Sequence, residues 1–224
     1  MKYSVILFDL DDTLLDFGKA EERAVDMLMK KYGVPLTAEN KELYVSMNRR
    51  KWKQLEKGLI TRHELFSKRF TEYFAAVGVQ GDGLRANEDY IGFLSTGHFL
   101  MPGALEACRE LSQTAALYII TNGAPVAQEG RLKESPLMRY ISGIFVSERI
   151  GFDKPDPRFM EYVLGHIDER DKSKILVVGD SPHSDIACGN GAGLDTCLVG
   201  PADPDGITPV YRIKNIGELP GILS

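Results

Sequence analysis

The stretch ILFDLDDTL, residues 6–14, decides the fold. It completes an apolar run over residues 3–8, and runs that are apolar on both faces are typical of buried parallel strands. Three carboxylates follow the run within four positions: Asp9, Asp11 and Asp12. They lie at the carboxyl end of the predicted strand, which is where open α/β sheets bind ligands.

Apolar runs of the same kind recur along the chain, with helical stretches between them. The further runs cover residues 115–120, 144–146, 175–178, 196–199 and 210–213. Short buried strands that alternate with helices favour an α/β fold, with a doubly wound, Rossmann-like parallel sheet as its core.

Residues 16–97 break this alternation, because they contain no convincing strand. Helices are predicted there instead, over residues 20–32, 37–57, 61–76 and 84–94. The third begins with Thr61-Arg62-His63-Glu64, which has the form of a capping box. Because the insertion is too long for a crossover, we predict a core of residues 1–15 and 98–224 and a small α-helical cap domain of residues 16–97.

The composition excludes several classes of protein. The chain has 224 residues, 43% hydrophobic and 26% charged, which is usual for a globular protein and unlike a collagenous or disordered one. Its formal net charge of −5 gives no general attraction to nucleic acid or to an anionic membrane. We therefore expect neither as a partner.

The cysteines and the first residues indicate a compartment. Cys108, Cys188 and Cys197 form no C-x-x-C pair and no set with histidine at metal-ligand spacing, so a reducing environment is the simpler interpretation. The first residues are acidic where a signal peptide needs an apolar run, and no stretch approaches the ~18 apolar residues of a membrane span. These features predict a cytoplasmic protein with its cysteines in the core.

The acidic turn after the first strand has a counterpart later in the chain. A second apolar run ends in Gly179 and Asp180, and Asp185 opens the next helix. Carboxylates at two strand ends repel each other unless a cation relieves them, and Mg²⁺ prefers oxygen ligands of this kind. The pair predicts a Mg²⁺ site; the alternative is an acidic turn in which Asp12 or Thr13 caps a helix.

Two further elements suit an anion. The run over residues 117–121 ends in Thr121, Asn122 and Gly123, and their hydroxyl, amide and flexible backbone can cradle phosphate oxygens. Lys154, in the turn DKPDP, can bring a point charge to the same anion. The alternative for Lys154 is a surface lysine in a turn.

In this order, the motifs resemble those of the haloacid dehalogenase superfamily of phosphotransferases. They are Asp9-Leu10-Asp11-Asp12-Thr13, Thr121-Asn122, Lys154-Pro155, and Gly179-Asp180 with Asp185. The helical insertion resembles the helical cap of that family. One departure is that many members have glycine where Asp12 stands.

The resemblance implies a role for each motif. Asp9 would be the nucleophile that forms an aspartyl-phosphate, and Asp11 the general acid that later acts as the base. Mg²⁺ would be held by Asp9, the backbone carbonyl of Asp11 and Asp180. The remaining residues would bind phosphate oxygens (Thr121, Asn122 and Lys154) or support the site (Asp185, Ser181 and Thr13).

The sequence identifies the branch of the superfamily less clearly than it identifies the superfamily itself. Asp11 argues against the haloalkanoate dehalogenases, which lack an acid there. The pyrimidine 5′-nucleotidase branch is resembled by residues 44–48 with Trp52, by 58–61 and 69–70, and by 121–123 followed by Gln128, Arg131-Leu132 and Ser135. This resemblance implies a Mg²⁺-dependent phosphomonoesterase for nucleoside 5′-monophosphates. Sugar-phosphate or phosphoglycolate phosphatases and phosphomutases would use the same core motifs, and a non-catalytic protein that binds a phospho-ligand is a further alternative.

Helical periodicity selects residues of the cap that could choose the substrate. Val45, Asn48, Arg49 and Trp52 fall on one helical face. Trp52 could stack on a base while Asn48 pairs with its edge, and Arg49 and Lys53 could meet an anionic substrate. The alternative is that Trp52 belongs to the core of the bundle.

Overall fold

This computed structural model describes residues 2–56, 58–202 and 206–224. Contacts among them divide the chain into two compact units. Unit 1 comprises Met1–Phe17 and His98–Ser224, and unit 2 comprises Gly18–Gly97.

Unit 1 is built on one parallel sheet. In the described part of the chain its strands are β1 (Val5–Phe8), β2 (Ala116–Thr121), β3 (Ile141–Val146), β4 (Ile175–Gly179), β5 (Asp195–Val199) and β6 (Tyr211–Ile213). Their order is β3-β2-β1-β4-β5-β6, and every neighbouring pair is parallel. The order reverses beside β1, as in doubly wound folds, so the predicted fold class is confirmed.

The helices in the described residues are, in chain order, α1 (Phe17–Tyr32), α2 (Ala38–Glu56), α3 (Arg62–Val77), α4 (Gly83–Leu94), α5 (Ala104–Leu111), α6 (Pro125–Glu134), α7 (Ser147–Ile150), α8 (Pro157–Gly165), α9 (Ala187–Gly191) and α10 (Leu219–Leu223). Short 3₁₀ turns cover Pro136–Tyr140, Lys172–Lys174 and Ile216–Glu218, and Pro182–Ile186 is a π-helical turn. None of the helices in the described residues has both the length and the apolar character needed to cross a membrane.

The position of β1 in the middle of the sheet explains why its sequence is apolar throughout. Ile6 and Phe8 belong to one buried cluster, which includes α5, whereas Val5 and Leu7 belong to a second, which includes α8. Alternate residues of the strand therefore enter a core on each face of the sheet. The three cysteines are buried as free thiols, as predicted.

The register of the sheet brings three strand ends to one edge. Phe8, the last residue of β1, pairs with Ile119 of β2 and with Val178 of β4. The backbone N–H of Asp9 then donates to the carbonyl of Val178 at 2.8 Å. The residues that follow β1, β2 and β4 consequently share the carboxyl edge of the sheet.

Unit 2 is helical, and local sequence signals determine where its helices begin and end. Thr61 accepts a hydrogen bond from the Glu64 N–H at 3.2 Å, and the Glu64 carboxylate accepts one from the Thr61 N–H at 3.0 Å, so the predicted capping box is present. Helix α1 begins at Phe17, earlier than predicted. The predicted end of the second helix, Lys57, lies outside the described residues.

Helices α1 to α4 are joined by a buried polar network. The Asn48 amide donates to Glu21 Oε1 at 2.6 Å and accepts from Arg69 Nη1 at 2.9 Å. Arg69 also donates to Asn87 Oδ1, and its guanidinium lies 4.7 Å from the ring centroid of Tyr90. One polar side chain from each helix thus contributes to a single network in the core of unit 2.

Candidate active site

The centre of the candidate site is a buried lysine between two carboxylates. Lys154 Nζ donates to Asp9 Oδ1 at 2.7 Å, to Asp185 Oδ1 at 2.6 Å and to the carbonyl of Ile120 at 2.8 Å. Its side chain is 1% exposed. The ammonium group therefore has each of its three hydrogens bonded to an acceptor, as a buried charge requires. The interpretation of Lys154 as a surface lysine is wrong.

The charges around Lys154 do not balance. Burial opposes its charge, but the carboxylates of Asp185 and Asp9 outweigh this and raise the pKa of Lys154 above its ordinary value. Burial raises the pKa of Asp9 and of Asp180, and repulsion from neighbouring carboxylates raises both further. One lysine thus faces more negative groups than it can neutralise.

The acidic cluster has the composition of a divalent-cation site. Asp9, Asp180 and Asp185 each offer a carboxylate oxygen, and these oxygens lie within 4.8 Å of one another. Oxygen donors at this density fit Mg²⁺. The carboxylate of Asp11, by contrast, is outside this cluster, so its predicted part in metal binding rests on its backbone carbonyl.

Asp185 is locked in place by its surroundings. Its Oδ2 accepts from the Ser181 N–H at 3.0 Å, while Oδ1 accepts from Lys154. A Cβ at Gly179 would lie 2.2 Å from Asp185 Oδ2, so the last residue of β4 needs to be glycine for this approach. The Ser181 hydroxyl accepts from the Ser184 N–H and supports the same turn.

Asn122 makes contacts that the sequence did not predict. Its side-chain amide donates to the carbonyl of Lys154 and accepts from the Lys154 N–H, both at 2.9 Å. Because these bonds use the Oδ1 and Nδ2 atoms on the protein itself, the side chain positions Lys154. Its binding of phosphate oxygens stays a prediction.

The hydroxyl of Thr121 is oriented to donate a hydrogen bond to an anion. Its Oγ1 accepts from Gln128 Nε2 at 2.7 Å and from the Gly123 N–H at 3.1 Å. A hydroxyl whose two lone pairs are occupied can use its hydrogen only as a donor. The structure thus gives the end of β2 a directed O–H.

The site contains two residues whose contacts the sequence did not predict. Asp11 Oδ2 accepts from Gln128 Nε2 at 2.7 Å, and Asp11 Oδ1 accepts from Arg131 Nη1. Arg131 is fully buried, whereas the Asp11 side chain is 29% exposed. Gln128 and Arg131 lie three positions apart on α6, and a polar pair at this spacing beside Thr121-Asn122-Gly123 was the available signal.

The turn between Asp9 and α1 explains the departure at Asp12. This residue has a φ of 54°, in the left-handed region where glycine is favoured and aspartate is tolerated. Its Oδ1 accepts from the Phe17 N–H at 3.0 Å, so it also caps α1. The supporting hydrogen bond predicted for Thr13 is not seen, since its buried hydroxyl has no partner among the described residues.

A cavity of about 440 Å³ adjoins Asp180 within unit 1, and this volume is in the range of small-molecule sites. Its lining includes Asp12, Asp16, Lys214, Met101 and Val199. Unit 1 therefore offers space for a small organic group beside the acidic cluster.

The candidate selecting residues of α2 do not share one environment. Asn48 is 3% exposed and bonded within unit 2, which corrects its interpretation as a residue that pairs with a base. Arg49 and Lys53 are exposed. Trp52 is half-buried, with its ring 6.4 Å from that of Phe66. The predicted face therefore includes buried, half-buried and exposed residues.

Comparisons with known proteins agree with this geometry. Residues 3–193 match the family model of the haloacid dehalogenase-like hydrolases. Pyrimidine 5′-nucleotidase PynA of Streptococcus pneumoniae is 37% identical over 98% of this chain and 94% of its own length. Pyrimidine 5′-nucleotidase YjjG of Escherichia coli is 31% identical over 100% of this chain and 99% of its own.

A solved structure is similar over the full length. The magnesium-bound crystal structure of the HAD-hydrolase YfnB from Bacillus subtilis covers 100% of both chains with a TM-score of 0.93 and 38% identity. The motifs, the sheet and these similarities agree over nearly the whole sequence. The chain therefore belongs to the haloacid dehalogenase-like hydrolase family.

Proposed function

We propose that this hydrolase is a Mg²⁺-dependent phosphomonoesterase that acts through an aspartyl-phosphate on Asp9. The observation that carries the proposal is the contact of Asp9 with Lys154 inside a cluster of three carboxylates. A protein that only binds a phosphate has no need of a buried carboxylate nucleophile beside a second carboxylate, Asp11, with access to solvent.

Two displacements complete the proposed reaction. An oxygen of Asp9 attacks phosphorus as the ester P–O bond breaks, and Asp11 gives a proton to the leaving oxygen. Water then attacks the aspartyl-phosphate, and Asp11 takes up its proton as phosphate leaves and Asp9 is restored. Thr121 donates to a phosphate oxygen, and Lys154 supplies a positive charge beside it.

Mg²⁺ fits the donor set of Asp9, Asp180 and the backbone carbonyl of Asp11, with Asp185 in reach of the same cluster. When bound, it supplies positive charge that neutralises the phosphoryl oxygens. Asp185 is bonded to Lys154 and to the Ser181 N–H, so we assign it to positioning.

We propose nucleoside 5′-monophosphates, with pyrimidines favoured, as the substrate class. PynA and YjjG carry that activity in their names, and both cover nearly the whole chain. In unit 2, Arg62 lies 5.7 Å from the Trp52 ring, with Arg49 and Lys53 exposed on the same helix as Trp52. Aromatic and cationic groups suit a base and a phosphate respectively.

A cytoplasmic location stays a prediction, in keeping with the free thiols.

The first test is phosphate release, with and without Mg²⁺, from dUMP, dTMP, UMP, sugar phosphates and phosphoglycolate. Asp9→Asn should abolish release, whereas Asp168→Asn, the same change at an exposed position, should not. Preference for a sugar phosphate would retain the reaction and reject the substrate class. Release that persists in Asp9→Asn would reject the proposed reaction itself.

A second test examines the cation without relying on turnover. A ligand that binds only the folded state raises the melting temperature, by about 2–4 °C for each kcal/mol in a chain of this size. Mg²⁺ should therefore raise the melting temperature of the wild type and have little effect on Asp180→Asn. Equal shifts in both proteins would remove Asp180 from the metal site.

A further inference from the structure

Gln128 and Arg131 form a clamp on Asp11, and the clamp also includes the hydroxyl of Thr121. Gln128 Nε2 donates to Asp11 Oδ2 and to Thr121 Oγ1, each at 2.7 Å. Gln128 Oε1 accepts from Arg131 Nη1 at 3.1 Å, and the same nitrogen donates to Asp11 Oδ1. The two side chains thus connect the proposed acid to the proposed phosphate ligand.

The hydrogen bonds leave Gln128 little freedom. Its two amide hydrogens are directed at Asp11 and Thr121, and its carbonyl oxygen accepts from Arg131. Gln128 is 1% exposed. A side chain that is buried with all of these bonds made holds a fixed orientation.

The neighbouring backbone makes room for this arrangement. A Cβ at Gly123 would lie 2.2 Å from Gln128 Nε2 and 2.4 Å from its Cδ. Any side chain at position 123 would therefore displace the Gln128 amide. The glycine after Thr121 and Asn122 is required by a side chain on α6.

Asp11 remains able to react while it is held. Each carboxylate oxygen has two lone pairs, so Asp11 can accept from Gln128 and Arg131 and still carry or take up a proton. Its side chain is 29% exposed, whereas Arg131 behind it is fully buried. The clamp thus holds the carboxylate from the protein side and leaves another side open.

We propose that Gln128 and Arg131 are positioning residues that set Asp11 at a fixed place relative to the Thr121 hydroxyl, so that the proton donor meets the leaving oxygen of a phosphate ester bound at Thr121. This inference rests on the proposed phosphomonoesterase function. Proton transfer by a positioned side chain contributes about 10²–10⁴-fold to a rate.

The dependence on the leaving group distinguishes positioning from a general structural role. An alkyl phosphate such as UMP needs a proton on its leaving oxygen, whereas 4-nitrophenyl phosphate releases a stable phenolate without one. For each ester, kcat/KM reports the steps up to loss of the leaving group. Gln128→Met should lower kcat/KM for UMP by about 10–100-fold, as expected for a misplaced general acid, and that for 4-nitrophenyl phosphate by no more than about threefold.

Further variants ensure that the test does not depend on a single substitution. Gly123→Ala, which displaces the Gln128 amide, should change the ratio of the two kcat/KM values in the same direction. Arg131→Lys, which retains the charge, should give a ratio between those of the wild type and Arg131→Met. Glu129→Met and Lys133→Met, on the same helix and outside the clamp, should leave the ratio unchanged.

An equal fall for both esters in the folded variants, or no fall for either, would overturn the inference. The proposed function would still stand in that case if wild-type turnover requires Mg²⁺ and is lost in Asp9→Asn. If the wild type hydrolyses neither these two esters nor any other ester of the first test, the proposed function fails and this inference is withdrawn with it.

Discussion

Each unit buries charged groups, but the two sets differ in their balance. In unit 2, Glu21 and Arg69 are connected through the Asn48 amide, with one negative and one positive group. In unit 1, the carboxylates of Asp9, Asp180 and Asp185 surround the single ammonium of Lys154. Buried charge alone therefore does not mark a reactive centre, whereas an excess of one sign indicates that a further ion is needed.

Among the variants that test this contrast, Lys154→Met should have the largest effect. It removes the positive charge from a cluster that is already too negative, and we expect turnover to fall by at least about 10²–10³-fold. Breaking a buried ion pair also costs roughly 3–5 kcal/mol in the free energy of unfolding. Because Mg²⁺ can supply part of the lost charge, Lys154→Met should lower the free energy of unfolding by more in the absence of Mg²⁺ than in its presence.

Phosphate release measures the fall in turnover, and urea unfolding with and without Mg²⁺ measures the loss in the free energy of unfolding. Lys133→Met, the same change at an exposed residue of α6, provides the control. If the deficit of Lys154→Met were the same with and without Mg²⁺, the charge imbalance assigned to unit 1 would be wrong.

Arg69→Met tests the balanced network of unit 2. It leaves Glu21 without its positive counterpart and takes donors from Asn48 and Asn87, so the free energy of unfolding should fall by roughly 3–5 kcal/mol. Mg²⁺ should not change this deficit. The double variant with Glu21→Gln should recover part of it, since the two charges are coupled.

A deficit in Arg69→Met that Mg²⁺ reduces would contradict the contrast between the two units. Strict additivity of Arg69→Met and Glu21→Gln would contradict the coupling within unit 2.

The smallest expected effect concerns an exposed carboxylate. The Thr61 N–H, together with Lys68, lowers the pKa of Glu64 to about 2. A lowered pKa contributes stability that is present above the ordinary value of 4.5 and is lost as the pH falls towards about 2. Thr61→Ala should cost about 1 kcal/mol at neutral pH, as for other N-caps, and Thr61→Ser much less.

Thermal unfolding between pH 7 and pH 2 measures this dependence. If Glu64→Gln, which removes the titrating carboxylate, and the wild type lost stability in parallel over that range, the lowered Glu64 pKa would not be the source of this dependence.

The sequence predicted the parts of the molecule that follow from local rules. Buried parallel strands are apolar on both faces, so β1 and β4 were identified, and the shared edge of a parallel sheet brought Asp9 and Asp180 together. The capping box of α3 was equally local.

The errors concern contacts across the fold. Periodicity indicates which residues share a helical face but not what that face contacts, so Asn48 was assigned to a substrate when it bonds to Arg69. Likewise, the spacing of Gln128 and Arg131 cannot indicate that Gly123 leaves room for a bridge to Asp11. Asp12 was noted as a departure, and its positive φ gives the reason.

The base of the helical insertion has a consequence for how such proteins diversify. Where the chain leaves and re-enters unit 1, Asp16 N–H donates to the carbonyl of Phe99 at 2.9 Å, and Met101 N–H donates to that of Leu14 at 3.0 Å. The ends of the insertion are thus fastened to each other by backbone bonds that no side chain dictates. Since the entropy of closing a loop grows only slowly with its length, an ancestor could have exchanged the whole intervening segment by recombination while inheriting the reactive turn intact.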